Sequence, residues 1–237
     1  MSAEPLAGPQ ARALTIEDVR ALMARATGDE KHAESSTSTL DALWALYDRV
    51  LRFDPDDPAW EGRDRFVLSK GHGPAAYYAV LAAKGFFPPR WLDGFMEFDN
   101  PLGSHPDRRL VPGVEASTGS LGHGLPMAIG MALALRAKDL VEQRVFVLVG
   151  DGELNEGSNW EAILLAPKLA LGNLTLLLVD NNSTFRHGAP WRPKFEAFGW
   201  MVRQVDGHDL DGLEAAFAAR RDERPGVVIA DIPEGEW

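Results

Sequence analysis

Cysteine is absent from all 237 residues. That excludes disulfides, zinc–thiolate sites, cysteine-ligated iron–sulfur clusters and a cysteine nucleophile at once. Long hydrophobic runs are also missing. None approaches the ~18 apolar residues that a membrane-spanning helix needs, and the run 174–179 has the length of a buried strand. The N-terminal MSAEPLAGPQARA has no basic start followed by an apolar block, so no signal peptide is read and a cytoplasmic location is expected. Positive charge is in short supply, with 24 Lys and Arg against 35 Asp and Glu, a net charge of −11. That balance speaks against nucleic acid or an anionic membrane as partner. The acidic stretch Asp54-Pro55-Asp56-Asp57-Pro58 reads as a solvated turn, because proline flanks it and its carboxylates have no placed partner. Internal repeats, low-complexity segments and an interdomain linker are absent as well.

What remains is a chain with 45% apolar and 25% charged residues, enough to bury a sizeable core. Residues 1–13 read as a loose tail and 14–237 as a single domain. Helical spacing of apolar residues predicts helices over 15–27, with Thr15 as cap, and over 40–51, where Leu40, Leu43, Trp44 and Tyr47 share a face. Residues 74–84 and the Gly- and Ala-rich stretch 121–137 read as two more. The period then changes. Near-continuous apolar strands at 144–149, 174–180, 200–205 and 226–232 alternate with helices at 157–171 and 210–221. This alternation predicts an α/β fold, a parallel sheet with helices on both faces.

In open parallel sheets, ligands bind beyond the carboxyl ends of the strands. Two such ends carry oxygen-bearing side chains: Gly150-Asp151-Gly152-Glu153 and Asp180-Asn181-Asn182. Asp151 and Asn181 are one strand–helix–strand unit apart, so their strand ends can converge. A hard cation such as Mg²⁺ favours oxygen ligands shared with substrate phosphates, and Gly150 and Gly152 permit close approach of a diphosphate. Either motif alone is an ordinary strand-ending turn; the pair at this spacing is the stronger signal.

GDG followed by NN resembles the metal–diphosphate motif of thiamine diphosphate enzymes. The surrounding residues narrow the resemblance to transketolase. They are Leu68-Ser69-Lys70-Gly71-His72-Gly73, then Gly103-Ser104-His105-Pro106 with the stretch Pro112 to Gly122 (PGVEASTGSLG), then GDGELNEG at 150–157 with Trp160-Glu161-Ala162. Phe198-Gly199-Trp200 and Asp206-Gly207-His208-Asp209 continue it, over about residues 15–231. The resemblance implies the thiamine diphosphate-binding fold, in its diphosphate-binding domain. It further implies the N-terminal subunit of a split transketolase, active only with a C-terminal subunit that supplies the pyrimidine-binding domain, in a heterotetramer. The implied reaction is transfer of a two-carbon ketol unit from a ketose (phosphate) donor to an aldehyde acceptor. The cofactors would be thiamine diphosphate and Mg²⁺ or Ca²⁺.

The resemblance also assigns residues. Asp151, Asn181 and the backbone carbonyl of Ser183 would hold the metal. Gly150, Gly152, Glu153 and His72 would lie against the diphosphate, and Gly119, Ser120 and Leu121 beside the cofactor ring. His32, His72 and His105 would serve the substrate, although the flanks of His32 (Glu30-Lys31-His32-Ala33-Glu34) depart from the family's pattern. Glu156 and Glu161 match acidic positions that couple two cofactors across a dimer, while helix N-terminal carboxylates explain Glu156 nearly as well. His123 replaces a common glutamine near the ring, His208 reads as a loop residue, and His187 has no assignment. The segment between Asn181 and Lys194 is shorter than the family's, which points to a donor or acceptor other than the common pentose phosphates. The alternatives are a deoxyxylulose phosphate synthase-like or oxo-acid dehydrogenase-like component, or a degenerate non-catalytic subunit.

Overall fold

The runs VFVLVG and LTLLLVD have no polar alternation, and each becomes a strand buried on both faces: β2 (Val145–Gly150) and β3 (Leu174–Asp180). In this computed structural model, which describes residues 14–27, 36–182, 188–219 and 222–233, they sit at the centre of a five-stranded sheet. The other strands are β1 (Arg65–Leu68), β4 (Met201–Asp206) and β5 (Gly226–Asp231). All pairings are parallel, in the order β1-β2-β3-β5-β4. The sequence pattern predicts four strands; β1 is a fifth. It has four residues and begins with an arginine, too short for periodicity to register, and it pairs with β2 from Arg65↔Val145 to Leu68↔Leu148.

Side chains alternate across the strands and feed two cores. Phe146, Leu148, Leu177, Val179 and Val228 join one face with α1 (Ile16–Met23), α2 (Leu40–Arg49), α3 (Ala75–Ala83) and α7 (Leu210–Ala218). Val145, Val147, Val149, Leu176 and Leu178 join the other with α4 (Gly124–Ala137), α5 (Gly157–Lys168) and α6 (Arg192–Ala197). Helix ends follow local chemistry. Thr15 and Asp18 form a reciprocal capping box at α1, with Thr15 N donating to Asp18 Oδ2 at 2.8 Å. α5 carries Pro167 in its last turn and stops at Lys168, short of the expected 171. Apolar spacing does not predict α6; buried Trp191 and Phe195 pin it. Among the described residues no helix is long and apolar enough to cross a membrane.

The amino end of the sheet is tied by one buried carboxylate. Asp64, whose side chain is fully buried, accepts from the backbone N–H of Arg144 (2.8 Å), from Arg144 Nη2 (2.9 Å) and from Arg52 N (3.1 Å). Burial alone would raise its pKa; the bonds and charge of Arg144, joined by Arg52, outweigh burial and hold it below the usual carboxylate range. A depressed pKa means the stabilisation is present above the unfolded value and is lost as pH falls through the folded one. Asp64→Ala should therefore cost about 3 kcal/mol at pH 7, because it strands Arg144. The gap from the parent should shrink in acid. Urea unfolding at the two pH values checks this, and a mutant with the parent's midpoint at pH 7 would reject it.

Candidate functional site

Three parallel strands deliver their following loops to the same edge of the sheet. β1 leads into residues 69–73, β2 into Asp151, Gly152 and Glu153, and β3 into Asn181 and Asn182. The approach to α2 supplies a fourth element, Ser38.

Asp151 is fully buried and Asn181 is 9% exposed. Asn181 Nδ2 donates to Ser38 Oγ at 3.4 Å, while its Oδ1 is buried with no hydrogen-bond partner among the described residues. An orphaned amide oxygen at a strand end that adjoins the one bearing a buried carboxylate is what a hard cation would satisfy. No group of three or more His, Asp or Glu side chains could hold a metal among the described residues. A cation here would thus draw on amide and backbone oxygens as well as Asp151. Asp180, the last residue of β3, has its pKa pushed up to about 6, by burial first and then by the charge of Asp151. Lys70 reaches into the same place. It is 5% exposed, its Nζ lies 3.3 Å from Ser38 Oγ, and its stem rests on Gly150, where an added Cβ would stand 3.0 Å from Lys70 Cδ. Burial lowers its pKa to about 8, against the pull of Asp151 and Glu153.

Glu153 joins the loops. Its Oε1 accepts Ser69 Oγ–H at 2.5 Å and Gly122 N–H at 2.9 Å, and Ser69 Oγ in turn accepts Gly124 N–H at 3.0 Å. Its Oε2 is buried without a partner among the described residues. Burial raises the Glu153 pKa, moderated by the bonds from Ser69 and Gly122. The residue expected against a diphosphate is therefore also the tie that fixes the loop after β1 to the start of α4.

A second cluster shares the loop 69–73. A Cβ on Gly71 would stand 2.7 Å from the backbone N of Gly119 and 2.8 Å from Thr118 Oγ1, so the two backbones touch. Gly119 has φ +145°, and a Cβ there would meet the His105 ring at 2.6 Å. The loop that carries His72, the 118–121 turn and the His105 ring thereby adjoin, with His72 half-buried and His105 exposed. Tyr78 O–H fixes the His105 loop by donating to the carbonyls of Gly103 and His105, both at 3.0 Å. Ser120 is exposed at the turn and Leu121 half-buried.

Other expected residues border these clusters or lie away from them. Glu156 is exposed at the N-cap of α5, without a side-chain cap bond and with its Cβ beside Gly122. Glu161 is exposed on the same helix. His123 is exposed at the N-cap of α4, its Nδ1 3.1 Å from Leu121 O. His208 does more than turn a loop: its Nδ1 lies 2.6 Å from Asp41 Oδ2, while Arg20 holds the other oxygen at 2.7 Å, tying β4's end to α2 and α1. His32, Ser183 and His187 lie outside the described residues. Sequence reasoning passed over Lys70, Ser38 and Ser69. Lys70 stood within the quoted SKGHG segment, yet nothing in that segment says the lysine is buried.

The family description "Transketolase, thiamine diphosphate binding domain" matches residues 10–232. "Ferredoxin fas2" of Rhodococcoides fascians is 47% identical over 221 residues, covering 92% of this chain and 72% of that protein. "6-deoxy-6-sulfo-D-fructose transketolase subunit SqwG" of a Clostridium species is 38% identical over 235 residues, covering 95% of this chain and 82% of that protein. A solved transketolase variant from Pichia stipitis superimposes with a TM-score of 0.84 at 29% identity; the match covers 91% of this chain and 35% of that one.

Proposed function

The chain belongs to the transketolase family, and from that premise we propose that it is the cofactor-holding subunit of a two-part transketolase, with residues 14–237 as its one domain. It moves a two-carbon ketol unit from a ketose or ketose phosphate to an aldehyde. One observation carries the reading. The loop after β1, which carries His72, reaches with Lys70 to Ser38 and through it to Asn181, and touches with Gly71 the Gly119 turn on which the His105 ring lies, all at the carboxyl edge of a parallel sheet.

Asp151 and Asn181, with the carbonyl of Ser183, would hold Mg²⁺ or Ca²⁺, which would supply the positive charge that a bound diphosphate needs. Gly150 and Gly152 leave room for it, and residues 119–121 line the ring. Bound there, the cofactor supplies an electron sink for cleavage of the carbon–carbon bond beside a carbonyl. His72 and His105, with His32, orient the sugar's oxygens and carry protons at their imidazole nitrogens, which suit transfer near neutral pH. The pyrimidine-binding domain comes from the partner, in a heterotetramer that Glu156 and Glu161 help to join. Support for a partner is the Clostridium relative, itself named as one subunit of a transketolase, and the outer face of α4 and α5. There Pro126, Gly130, Ala134, Leu164 and Leu165 are exposed, and a Cβ on Gly130 would meet nothing within 4 Å.

Coexpressed with its partner, the chain should consume ketose phosphates in the presence of thiamine diphosphate and an aldehyde, and leave pyruvate untouched. The separate chain should be inactive. Pyruvate turnover by the pair would move the protein to another thiamine diphosphate class. A pair that binds the cofactor but turns over neither donor would make it a non-catalytic subunit.

A further inference from the structure

The reading above leaves a buried cation without a role. Burying an ammonium is unfavourable unless opposite charge and hydrogen bonds meet it. Lys70 projects from the loop after β1 along Gly150 and ends 3.3 Å from Ser38 Oγ, which itself lies 3.4 Å from Asn181 Nδ2. Its ammonium therefore stands one side chain away from one candidate metal ligand, and its stem crosses the residue before the other. An apolar side chain of the same length would fill that space without the charge. A loaded cradle needs the charge: a diphosphate together with Asp151 exceeds the two positive charges of a divalent metal. The neighbouring Glu153 lines the same cradle, with one of its oxygens already committed to Ser69 and Gly122.

We propose that Lys70 is a cofactor-binding residue, whose ammonium neutralises the diphosphate beside the divalent metal. The inference rests on the transketolase reading and adds a second, protein-borne charge to it. Two consequences distinguish it from a packing role. Cofactor affinity depends on positive charge at this position rather than on its volume. In the ligand-free protein the cost of burying the ammonium outweighs its attraction to Asp151 and Glu153, so an apolar group of similar length packs there without loss.

The test is calorimetric titration of thiamine diphosphate at saturating Mg²⁺ into the full-length chain purified with its partner, for the parent, Asp151→Ala, Lys70→Met and Lys70→Arg. Ligand-free melting and the salt dependence of binding are measured alongside. Lys70→Met should weaken binding by about 10-fold or more and flatten its salt dependence, with an unchanged or higher ligand-free Tm. Lys70→Arg should stay within about 3-fold of the parent, because it keeps the charge. Parent-like binding by Lys70→Met, alongside loss in Asp151→Ala, would overturn the proposal and leave the transketolase reading standing. A fall in the Tm of Lys70→Met with no rescue by arginine would also overturn it, as a structural role. A parent complex that binds no thiamine diphosphate would remove both readings.

Discussion

Replacing Asp151 with alanine is expected to abolish metal-dependent binding of thiamine diphosphate, with an affinity loss of at least about 100-fold, since even residues behind a metal's direct ligands are worth 10–100-fold. Asp151 is the carboxylate oxygen donor of the proposed set; Asn181 offers an amide oxygen, and Ser183 a carbonyl. Without the carboxylate, the metal loses its charged anchor and the diphosphate loses the metal. The fold should survive. Asp151 N–H donates to the carbonyl of Val179 at 3.0 Å, a backbone bond that alanine keeps. Removing a buried carboxylate also relieves the electrostatic strain that helps raise Asp180. Calorimetry with and without Mg²⁺, paired with thermal melting, reads both effects. A folded mutant that binds the cofactor with the parent's Mg²⁺-dependent affinity would show that the metal lies elsewhere.

Replacing His72 or His105 with alanine should lower turnover by about 100-fold, the scale of a positioned acid–base group, with little change in Tm. The geometry favours chemistry over packing for both. The His105 ring is exposed and rests on Gly119, whose missing Cβ leaves room for it. The loop carrying it is held through backbone carbonyls by Tyr78, so loss of the imidazole leaves that support in place. His72 sits between two glycines on a loop fixed by Ser69 and by the close backbone contact at Gly71. Steady-state kinetics on the coexpressed pair, with melting curves for each variant, separates the roles. Stability lost in step with activity would mark the histidines as structural.

The central strands were legible because burial on both faces leaves an unbroken apolar run, as at 145–149 and 174–179. β1 was not, since four residues starting at Arg65 carry too little pattern, and α6 was hidden by its proline-interrupted six residues. The convergence of Asp151 and Asn181 was legible for a topological reason: they follow β2 and β3, which pair in register from Val145↔Leu174 to Gly150↔Val179. The ties that build the cradle around them were not. Ser69 meets Glu153 across 84 residues, Asn181 meets Ser38 across 143, and His208 meets Asp41 across 167. No local pattern encodes contacts of that span. Composition likewise could not say that Lys70, one of 24 basic residues, is buried against Gly150.

Manganese offers the most direct view of the central claim, that this strand edge anchors a metal-bound diphosphate. It replaces Mg²⁺ at oxygen sites and scatters anomalously. Crystals of the complex with its partner, grown with thiamine diphosphate and Mn²⁺, should show an anomalous peak bonded to the side chains of Asp151 and Asn181 and to diphosphate oxygens. A cofactor bound with its manganese away from both residues would contradict the account.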